Sequence, residues 1–570
     1  MEDDRSDLQA ASRGKKRLAS FASGSGAKVA LVGYALFVVV CFIILLRHGL
    51  MLSDELASVA PGLRQGYLPL STNSLSFGSF GSGQTRRMDL SDAQWRGFRE
   101  SMLPLAAVFV VFSCVSRALW LNSGRTNTRT STSATGTVTV RTFWIVVSSI
   151  GFLLYLHGRC ALYVLGLVTA SWVVTRWVKQ QTYAPSWART AAVWAWHVGV
   201  LMVVKGSDGF SRDEAFVGVL QGLGVRLGRG VFRWEICYNL TMLRLVSQSL
   251  DILWGRANGS NGGTGSLWVS VAHALYPPLY LAGPIVSYKD FAGQLVRMSG
   301  DEKAASTTSS RTAILTYALR TAFDVAIIEV MSHYLYFNSV ATNNLLGSDG
   351  GRGSALDRET TPLDVATCGW WVLAFTWLKF CVIWRFFRLA ALLEGITAPE
   401  NMRKCFAMNY DVQGFWKNWH ASFNRWLVEY MYVPAGGRGS TTQLLMVLPI
   451  FVFVALWHDV EIRLLGWAGL MVLAFMPELL VKREFAKSRW DWVRREHLTA
   501  LWVGKALAAT VTISSLMVGN MVGFVVGLDG AGAFLRQLLS SPMLVTASLL
   551  SFFSAASLMM AVEDWLYYRY

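Results

Sequence analysis

The stretch of sequence that decides the fold begins at Phe415 and reads FWKNWHASFNRWLVEYMYVPAGG; after a short polar loop the chain continues from Leu444 as LLMVLPIFVFVALWHD. In the first part, aromatic and aliphatic residues recur at helical spacing, which predicts an amphipathic helix with His420 on its apolar side. In the second part, His458 ends an apolar run. An ionisable residue is costly to keep inside a membrane segment, so both histidines are candidates for a functional site.

The composition is that of a membrane protein. Of the 570 residues, 53% are hydrophobic and only 15% are charged, whereas soluble domains carry about 25% charged residues. The repeated apolar runs predict an all-α polytopic protein with roughly ten or eleven membrane segments, some of them short re-entrant or interfacial helices. Basic cytosolic loops account for the net charge of +16, so nucleic acid is not an expected partner. The seven cysteines include no C-x-x-C pair, which predicts neither a disulfide framework nor a zinc site.

The order of polar and apolar segments predicts the organisation of the chain. Residues 1–28 form a polar tail, and residues 29–46 are apolar and long enough to be a first transmembrane helix with the N-terminus in the cytosol. Residues 53–99 are then a polar loop on the luminal side. Residues 103–475 contain the main group of apolar runs, and residues 501–562 supply the C-terminal transmembrane helices.

Several internal segments carry more specific expectations. Residues 121–136 are rich in Ser and Thr and predict a flexible loop, and residues 222–230, GLGVRLGRG, predict a basic interfacial loop. The apolar runs at 143–156 and 160–174 are short, which predicts either a tight hairpin or a re-entrant pair. Prolines at 277, 278 and 284 predict a broken helix. Within residues 231–251, polar side chains are expected to face the bundle interior or each other, namely Arg233, Glu235, Asn239 and Arg244.

The residues around the two histidines leave their chemistry open. The zinc motif H-E-x-x-H, the His-x4-Asp signature of glycerolipid acyltransferases and the G-x-S-x-G nucleophile elbow are all absent. No third metal ligand is suggested near either histidine, so no metal site is predicted. What remains is a buried base that could deprotonate an acceptor placed beside it, or a structural histidine that hydrogen-bonds a neighbouring helix.

Several sequence blocks resemble the membrane-bound O-acyltransferase (MBOAT) family. The pair Trp419-His420, the segment YMYVPAGG from Tyr430 and the triplet LWH ending at His458 resemble the family as a whole. Four further blocks resemble its fungal Gup subgroup, whose sister is Hedgehog acyltransferase; they are DAQWRGFR from Asp92, YNLTMLR from Tyr238, PLYLAGPIV from Pro278 and FWKNWH from Phe415. The resemblance runs in scattered blocks from about residue 92 to residue 467 and implies a helical bundle around a central tunnel, with the catalytic core over residues 103–475.

The resemblance also implies roles for the two histidines. His458 aligns with the nearly universal membrane histidine of the family and is expected to take the proton from an acceptor hydroxyl as it attacks acyl-CoA. His420 aligns with the second catalytic position, which is His, Asn or Asp in different branches and Asp in Hedgehog acyltransferase. Acyl-CoA is then the donor substrate, no cofactor is bound permanently, and the acceptor is a membrane lipid.

The expected process is lipid remodelling of glycosylphosphatidylinositol (GPI) anchors by a multi-pass protein of the endoplasmic reticulum membrane. Four cations are candidates for contacts with the CoA phosphates, or equally for interfacial snorkelling side chains; they are Lys417, Arg425, Arg385 and Arg388. Three alternatives remain open: palmitoylation of a protein N-terminus, transport of glycerol or another polyol, and a catalytically silent scaffold.

Overall fold

The computed structural model describes residues 25–69, 85–127, 134–207, 228, 230–256, 265–300, 311–346, 359–437 and 442–569. In chain order its helices are α1 Ser25–Leu56, α2 Ala93–Asn127, α3 Ala134–His157, α4 Ala161–Gln180, α5 Ser186–Gly206, α6 Trp234–Leu253, α7 Leu267–Ala274, α8 Pro277–Tyr280, α9 Tyr288–Gly300, α10 Arg311–Tyr334, α11 Phe337–Thr342, α12 Pro362–Glu394, α13 Val412–Asn418, α14 Ala421–Leu427, α15 Thr442–Leu445, α16 Val447–His458, α17 Ile462–Phe485, α18 Asp491–Glu496, α19 Leu498–Met521, α20 Gly527–Leu539 and α21 Pro542–Arg569. Two π-helical turns, Val428–Tyr432 and Val522–Val526, follow α14 and α19 directly.

The described helices confirm a polytopic all-α membrane protein. Eight helical stretches among them are long and apolar enough to cross a bilayer: Lys28–Leu56, Ala93–Leu119, Val140–Gln180, Ser186–Gly206, Pro362–Glu394, Ile462–Phe485, Leu498–Val525 and Pro542–Glu563. This number is below the ten or eleven predicted segments because Val140–Gln180 contains both α3 and α4 and because other apolar runs form short helices. Among these, α16 is apolar throughout but has only 12 residues.

Two predicted loops are shorter than the sequence suggested. In the segment 53–99, α1 continues to Leu56, and strands β1 (Leu63–Pro69) and β2 (Thr85–Asp89) form an antiparallel pair with Leu63 opposite Asp89. The sequence predicted a polar loop because the segment is rich in Gly and Ser. That composition gives no signal for the two short strands. In the segment 121–136, α2 extends to Asn127 and α3 begins at Ala134. Residues 1–24 of the predicted tail and most of the predicted loop 222–230 lie outside the described residues.

The apolar runs at 143–156 and 160–174 lie in two long helices joined by a short turn. Polar residues extend the runs to 24 residues in α3 and 20 residues in α4, and the 3-10 turn Gly158–Cys160 joins them. About 20 helical residues cross a bilayer, so each helix is long enough to span it, and the choice between a hairpin and a re-entrant pair stays a prediction. Gly158 has a φ of 55° at this turn, and an added Cβ would lie 2.0 Å from the carbonyl oxygen of Gly228, so the turn requires glycine.

The long helix α12 lies antiparallel to α1. His48 Nε2 is 2.7 Å from Asp364 Oδ1 near the start of α12, and Trp371 Nε1, further along, donates to the carbonyl of Leu45 at 3.1 Å. The start of α12 carries a capping box between Thr361 and Asp364, and the left-handed Gly395 ends the helix. The C-terminal end of α12 therefore lies at the end of the bundle where α1 begins.

The polar residues of α6 lie where they were predicted. The Arg244 side chain is only 2% exposed and donates from Nη1 to the carbonyl of Ala274 at 3.1 Å and from Nη2 to that of Leu279. The carbonyl of Ala274 is free for this contact because Pro278 has no amide hydrogen, and the prolines at 277 and 278 interrupt the helix between α7 and α8, as predicted. Arg233 and Glu235, at the start of α6, pair with each other.

Candidate active site

His420 lies at a break in the chain and not within a continuous helix. The periodicity of residues 415–430 predicted one amphipathic helix, but α13 ends at Asn418 and α14 begins at Ala421. Between them His420 adopts left-handed backbone angles, φ 46° and ψ 49°. Asn401 holds the break, because its carbonyl accepts from the amide of Ala421 and its side chain from that of Ser422, both at 3.0 Å. Such backbone angles in a residue other than glycine are concentrated at functional sites.

The imidazole of His420 is enclosed by aromatic rings. It stacks on the Trp384 ring of α12 with the centroids 4.4 Å apart and the planes 11° apart, and it also contacts Phe423 at 5.1 Å. Its Nε2 atom is buried and has no hydrogen-bond partner among the described residues. Buried polar atoms in proteins are nearly always hydrogen-bonded, so an unpaired nitrogen in this position is available to a substrate.

His458 is the last residue of α16 and is anchored through its backbone. Its carbonyl oxygen accepts from Lys205 Nζ of α5 at 3.1 Å and from Asn239 Nδ2 of α6 at 3.5 Å. Its ring packs edge-on against the rings of Trp457 and Phe524, at centroid distances of 4.7 and 5.7 Å. The backbone contacts fix the position of the residue while the imidazole nitrogens make no hydrogen bond to a described residue.

The two histidines line one cavity. It has a volume of about 1900 Å³, and its wall is mostly apolar. The Trp457 ring contacts both imidazoles, with centroids 6.4 Å from His420 and 4.7 Å from His458. The wall also includes side chains from α1, α12, α13, α14, α16, α19, α20 and α21. The structure therefore brings together two candidate residues that lie 38 positions apart in the sequence.

The four predicted cations occupy three different environments. Lys417 is exposed and lines the large cavity. Arg388 and Arg425 line a second, polar cavity of about 530 Å³, where Arg388 is 3.5 Å from Glu400 and Arg425 donates to Asp290 at 2.9 Å. Arg385 lines neither of these two cavities. It is 3% exposed and pairs with Asp324 and, at 3.9 Å, with Glu400.

Comparison with known proteins gives the family. The model of the membrane-bound O-acyltransferase family matches residues 220–522, which is more than half of the chain and includes both histidines. The chain belongs to this family. Full-length relatives agree: the membrane-bound O-acyltransferase gup1 of Schizosaccharomyces pombe is 28% identical over 510 residues, which cover 84% of this chain and 80% of the relative.

Two further relatives of this MBOAT chain are named for different activities. The membrane-bound O-acyltransferase GUP1 of Saccharomyces cerevisiae is 27% identical over 515 residues, 84% of this chain and 83% of the relative. The protein-cysteine N-palmitoyltransferase HHAT of Mus musculus is 24% identical over 224 residues, 37% of this chain and 40% of the relative.

In this MBOAT chain, one short segment separates the two cavities. From His420 to Tyr432, the residues facing the large cavity are His420, Phe423, Asn424, Leu427, Val428 and Tyr432. Those facing the polar cavity are Ser422, Arg425, Trp426, Glu429 and Tyr430. The two sets alternate at helical spacing. The sequence predicted a single apolar side for this segment. Its aromatic residues are instead divided between the two cavities, because Trp426 and Tyr430 line the polar one.

Sequence reasoning missed three residues of the site. Trp384, which stacks on His420, is one of 24 tryptophans and carried no distinguishing signal. Lys379 and Asp92 form an ion pair of 2.7 Å on the wall of the large cavity. A lysine within the apolar run of α12 is itself a signal, because charged residues in membrane helices are rare and functional. Within the described ranges, no group of three or more His, Cys, Asp or Glu side chains could hold a metal ion.

Proposed function

We propose that this MBOAT chain transfers a long-chain acyl group from acyl-CoA to the hydroxyl of a membrane lipid, in GPI-anchor remodelling at the endoplasmic reticulum. The observation that carries the proposal is the pair of imidazoles, His420 and His458, on the wall of one large apolar cavity. An alcohol is a poor nucleophile until a base removes its proton during attack. An imidazole without a protein partner is suited to that step.

The proposed reaction is a direct transfer. His458 takes the proton from the acceptor hydroxyl while the oxygen attacks the thioester carbonyl. The ester C–O bond forms, the C–S bond breaks, and the leaving CoA thiolate takes the proton from the imidazolium. His420 contributes its unpaired Nε2, which orients the reacting groups. No covalent acyl-enzyme is required.

The polar cavity supports a CoA site at the opposite side of the α14 segment. Arg388 and Arg425 line it, together with Arg297, and guanidinium groups are well suited to phosphate. It lies near the C-terminal end of α12, at the end of the bundle where α1 begins. If the N-terminus is cytosolic, as the positive-inside rule predicts, this cavity faces the compartment that contains acyl-CoA.

The size of the large cavity supports two bound hydrocarbon chains. Sites for single small molecules have volumes of about 300–1,000 Å³, and this cavity, at about 1900 Å³, is larger. The donor acyl chain and the chains of a lipid acceptor could therefore occupy it together.

A protein amine is the second candidate acceptor, favoured by the match to a protein-cysteine N-palmitoyltransferase. An N-terminal amine titrates near pH 7.7–8.0 and depends less on a base. The residue at position 420 argues for the lipid hydroxyl by resemblance, because Hedgehog acyltransferase has Asp there.

The test presents both acceptors to purified protein with labelled palmitoyl-CoA. One reaction contains lysophosphatidylinositol or a lyso-GPI, and the other contains a peptide with a free N-terminus. Label is expected in an alkali-labile lipid ester. Label found only on the peptide, as an alkali-stable amide, would establish the amine acceptor and overturn the lipid assignment.

A further inference from the structure

A buried ion pair lies on the wall of the large cavity, apart from the two histidines. Lys379 Nζ of α12 is 2.7 Å from Asp92 Oδ2, which lies just before α2. The lysine is 6% exposed, and its ammonium lies 5.0 Å from the centroid of the Phe380 ring. A charged side chain in a membrane helix is retained where it binds something. The proposed acyl transfer uses neither residue of this pair.

The position of Lys379 along α12 relates it to both the imidazole and the polar cavity. Lys379 precedes Trp384 by five residues, about 7.5 Å of helix, and Trp384 stacks on His420. Arg388, on the wall of the polar cavity, follows Trp384 by four residues, about 6 Å. Helix α12 therefore carries a cation on each side of the position that stacks on His420. The proposed CoA site gives a function to Arg388 but none to Lys379.

The surroundings of the pair suit the polar head of a lipid. Gln94 and Asn338 line the cavity together with Asp92 and Lys379. The same cavity has apolar lining from α1, α20 and α21, including Val38, Phe42, Leu538, Phe552 and Met559. A small polar region next to a long apolar wall matches a molecule with a compact charged head and hydrocarbon chains.

We propose that Lys379 binds the phosphate of the acceptor lipid and that the hydrocarbon of this lipid lies along α1, α20 and α21. The assignment rests on the proposed function and names the residue that holds the phosphate of the acceptor. An ammonium has three donors, and one bond to Asp92 leaves two for phosphate oxygens. Asp92 balances the charge of Lys379 in the empty site and competes with the phosphate when lipid enters.

This competition predicts opposite effects from the two halves of the pair. Lys379→Met removes the cation, so the KM for lysophosphatidylinositol is expected to rise about 10- to 100-fold, the range for a lost charged hydrogen bond. Asp92→Asn removes the competitor, so the same KM is expected to fall. Asn preserves the helix start, where the Asp92 side chain accepts from the amide of Trp95 at 2.7 Å. A purely structural pair would be broken by both variants, and both would then impair the enzyme.

The experiment measures KM and kcat for lysophosphatidylinositol, for a neutral monoacylglycerol and for palmitoyl-CoA. Only the phosphorylated acceptor is expected to respond. Lys379→Arg, which keeps the charge, is expected to stay near wild type. Arg99→Met is the matched control, because Arg99 forms an ion pair of 2.6 Å with Glu329 but does not line the cavity.

Equal losses for phosphorylated and neutral acceptors, or a change confined to palmitoyl-CoA, would overturn the proposal. A binding measurement separates this outcome from failure of the proposed function. Native mass spectrometry of purified protein with phosphatidylinositol or diacylglycerol needs no turnover. If wild type acylates no lipid but retains phosphatidylinositol through Lys379, the proposed acyl transfer is wrong and the phosphate site at Lys379 stands. If Lys379→Met retains as much phosphatidylinositol as wild type, the phosphate site is wrong.

Discussion

At the residue scale, the two histidines have different structural supports. His458 is fixed through its carbonyl oxygen by Lys205 and Asn239, so its side chain carries no structural hydrogen bond among the described residues. His420 is held by its backbone angles and by stacking on Trp384. A substitution at His458 therefore tests chemistry, whereas a substitution at His420 also tests the conformation of the chain.

His458→Ala is expected to abolish acyl transfer while the protein still inserts in the membrane. General-base catalysis contributes about 10²–10⁴-fold, and the backbone contacts of residue 458 do not need the ring. The measurement is turnover by purified protein, with thermal unfolding as the check on folding. His497→Ala, outside the cavity at an exposed position, is the matched control. Retained turnover in His458→Ala would remove this residue from the catalytic role.

At position 420 the order of activities is expected to be His, then Asn, then Ala. Asn adopts left-handed backbone angles more readily than other non-glycine residues and keeps a polar side chain. Ala has no preference for left-handed backbone angles and no polar side chain. Turnover and melting temperature of His420→Asn, His420→Ala and His420→Gly separate the two contributions, since Gly restores the backbone without the side chain. Full activity in the Gly variant would show that only the turn matters.

At the element scale, the segment from His420 to Tyr432 separates the two cavities. It is short, passes from α-helix to π-helix and begins at a left-handed residue. These features orient Phe423 and Leu427 towards the large cavity and Arg425 towards the polar one. Arg388 and Arg425, which line the polar cavity, are therefore expected to differ in function from Lys417, which lines the large cavity.

Charge reversal of Arg388 or Arg425 is expected to raise the KM for acyl-CoA because both line the polar cavity, and little stability should be lost at Arg425, whose side chain is exposed. The Lys417→Glu variant tests the large-cavity side in the same way. Arg385→Glu is expected to behave differently. It breaks a buried pairing with Asp324, which costs about 3–5 kcal/mol of folding free energy, so lower yield and melting temperature are expected. An unchanged KM in all the variants that fold would identify these cations as topology anchors.

At the scale of the whole molecule, the first and last helices complete the cavity. α1 packs on α21, with the Tyr34 and Phe553 ring centroids 5.9 Å apart, and both helices line the large cavity. Both lie outside residues 220–522, the part that matches the family model. The space available for hydrocarbon is therefore set in part by segments beyond the matched region.

Filling this part of the cavity is expected to shorten the lipid chain that the protein accepts. Ala555→Trp places a large ring on the wall contributed by α21, so turnover with an 18-carbon lysophospholipid should fall about tenfold while an 8-carbon acceptor is spared. Leu550→Trp, on the same helix at a 53% exposed position that does not line the cavity, is the control. A loss independent of chain length would place the acceptor chains elsewhere.

The sequence by itself determined the class of the protein, most of its spanning helices and the two histidines. These follow from local properties: hydropathy over about 20 residues identifies a membrane helix, and a polar residue inside such a run stands out. The broken helix at the prolines and the buried face of α6 were predictable for the same reason. The number of membrane-spanning helices was less predictable. Apolar composition alone does not show whether a short run, such as the one that forms α16, is a membrane segment of its own.

Only the tertiary structure decided how the site is assembled. The left-handed turn at His420 depends on Asn401, and the stacking partner Trp384 comes from a different helix. The ion pair of Lys379 joins residues 287 positions apart, and the cavity needs both the first and the last helix. Hydrophobic periodicity shows which side of a segment is apolar, but an apolar side can face lipid, packed protein or a cavity. Which of them a residue meets is fixed by long-range packing.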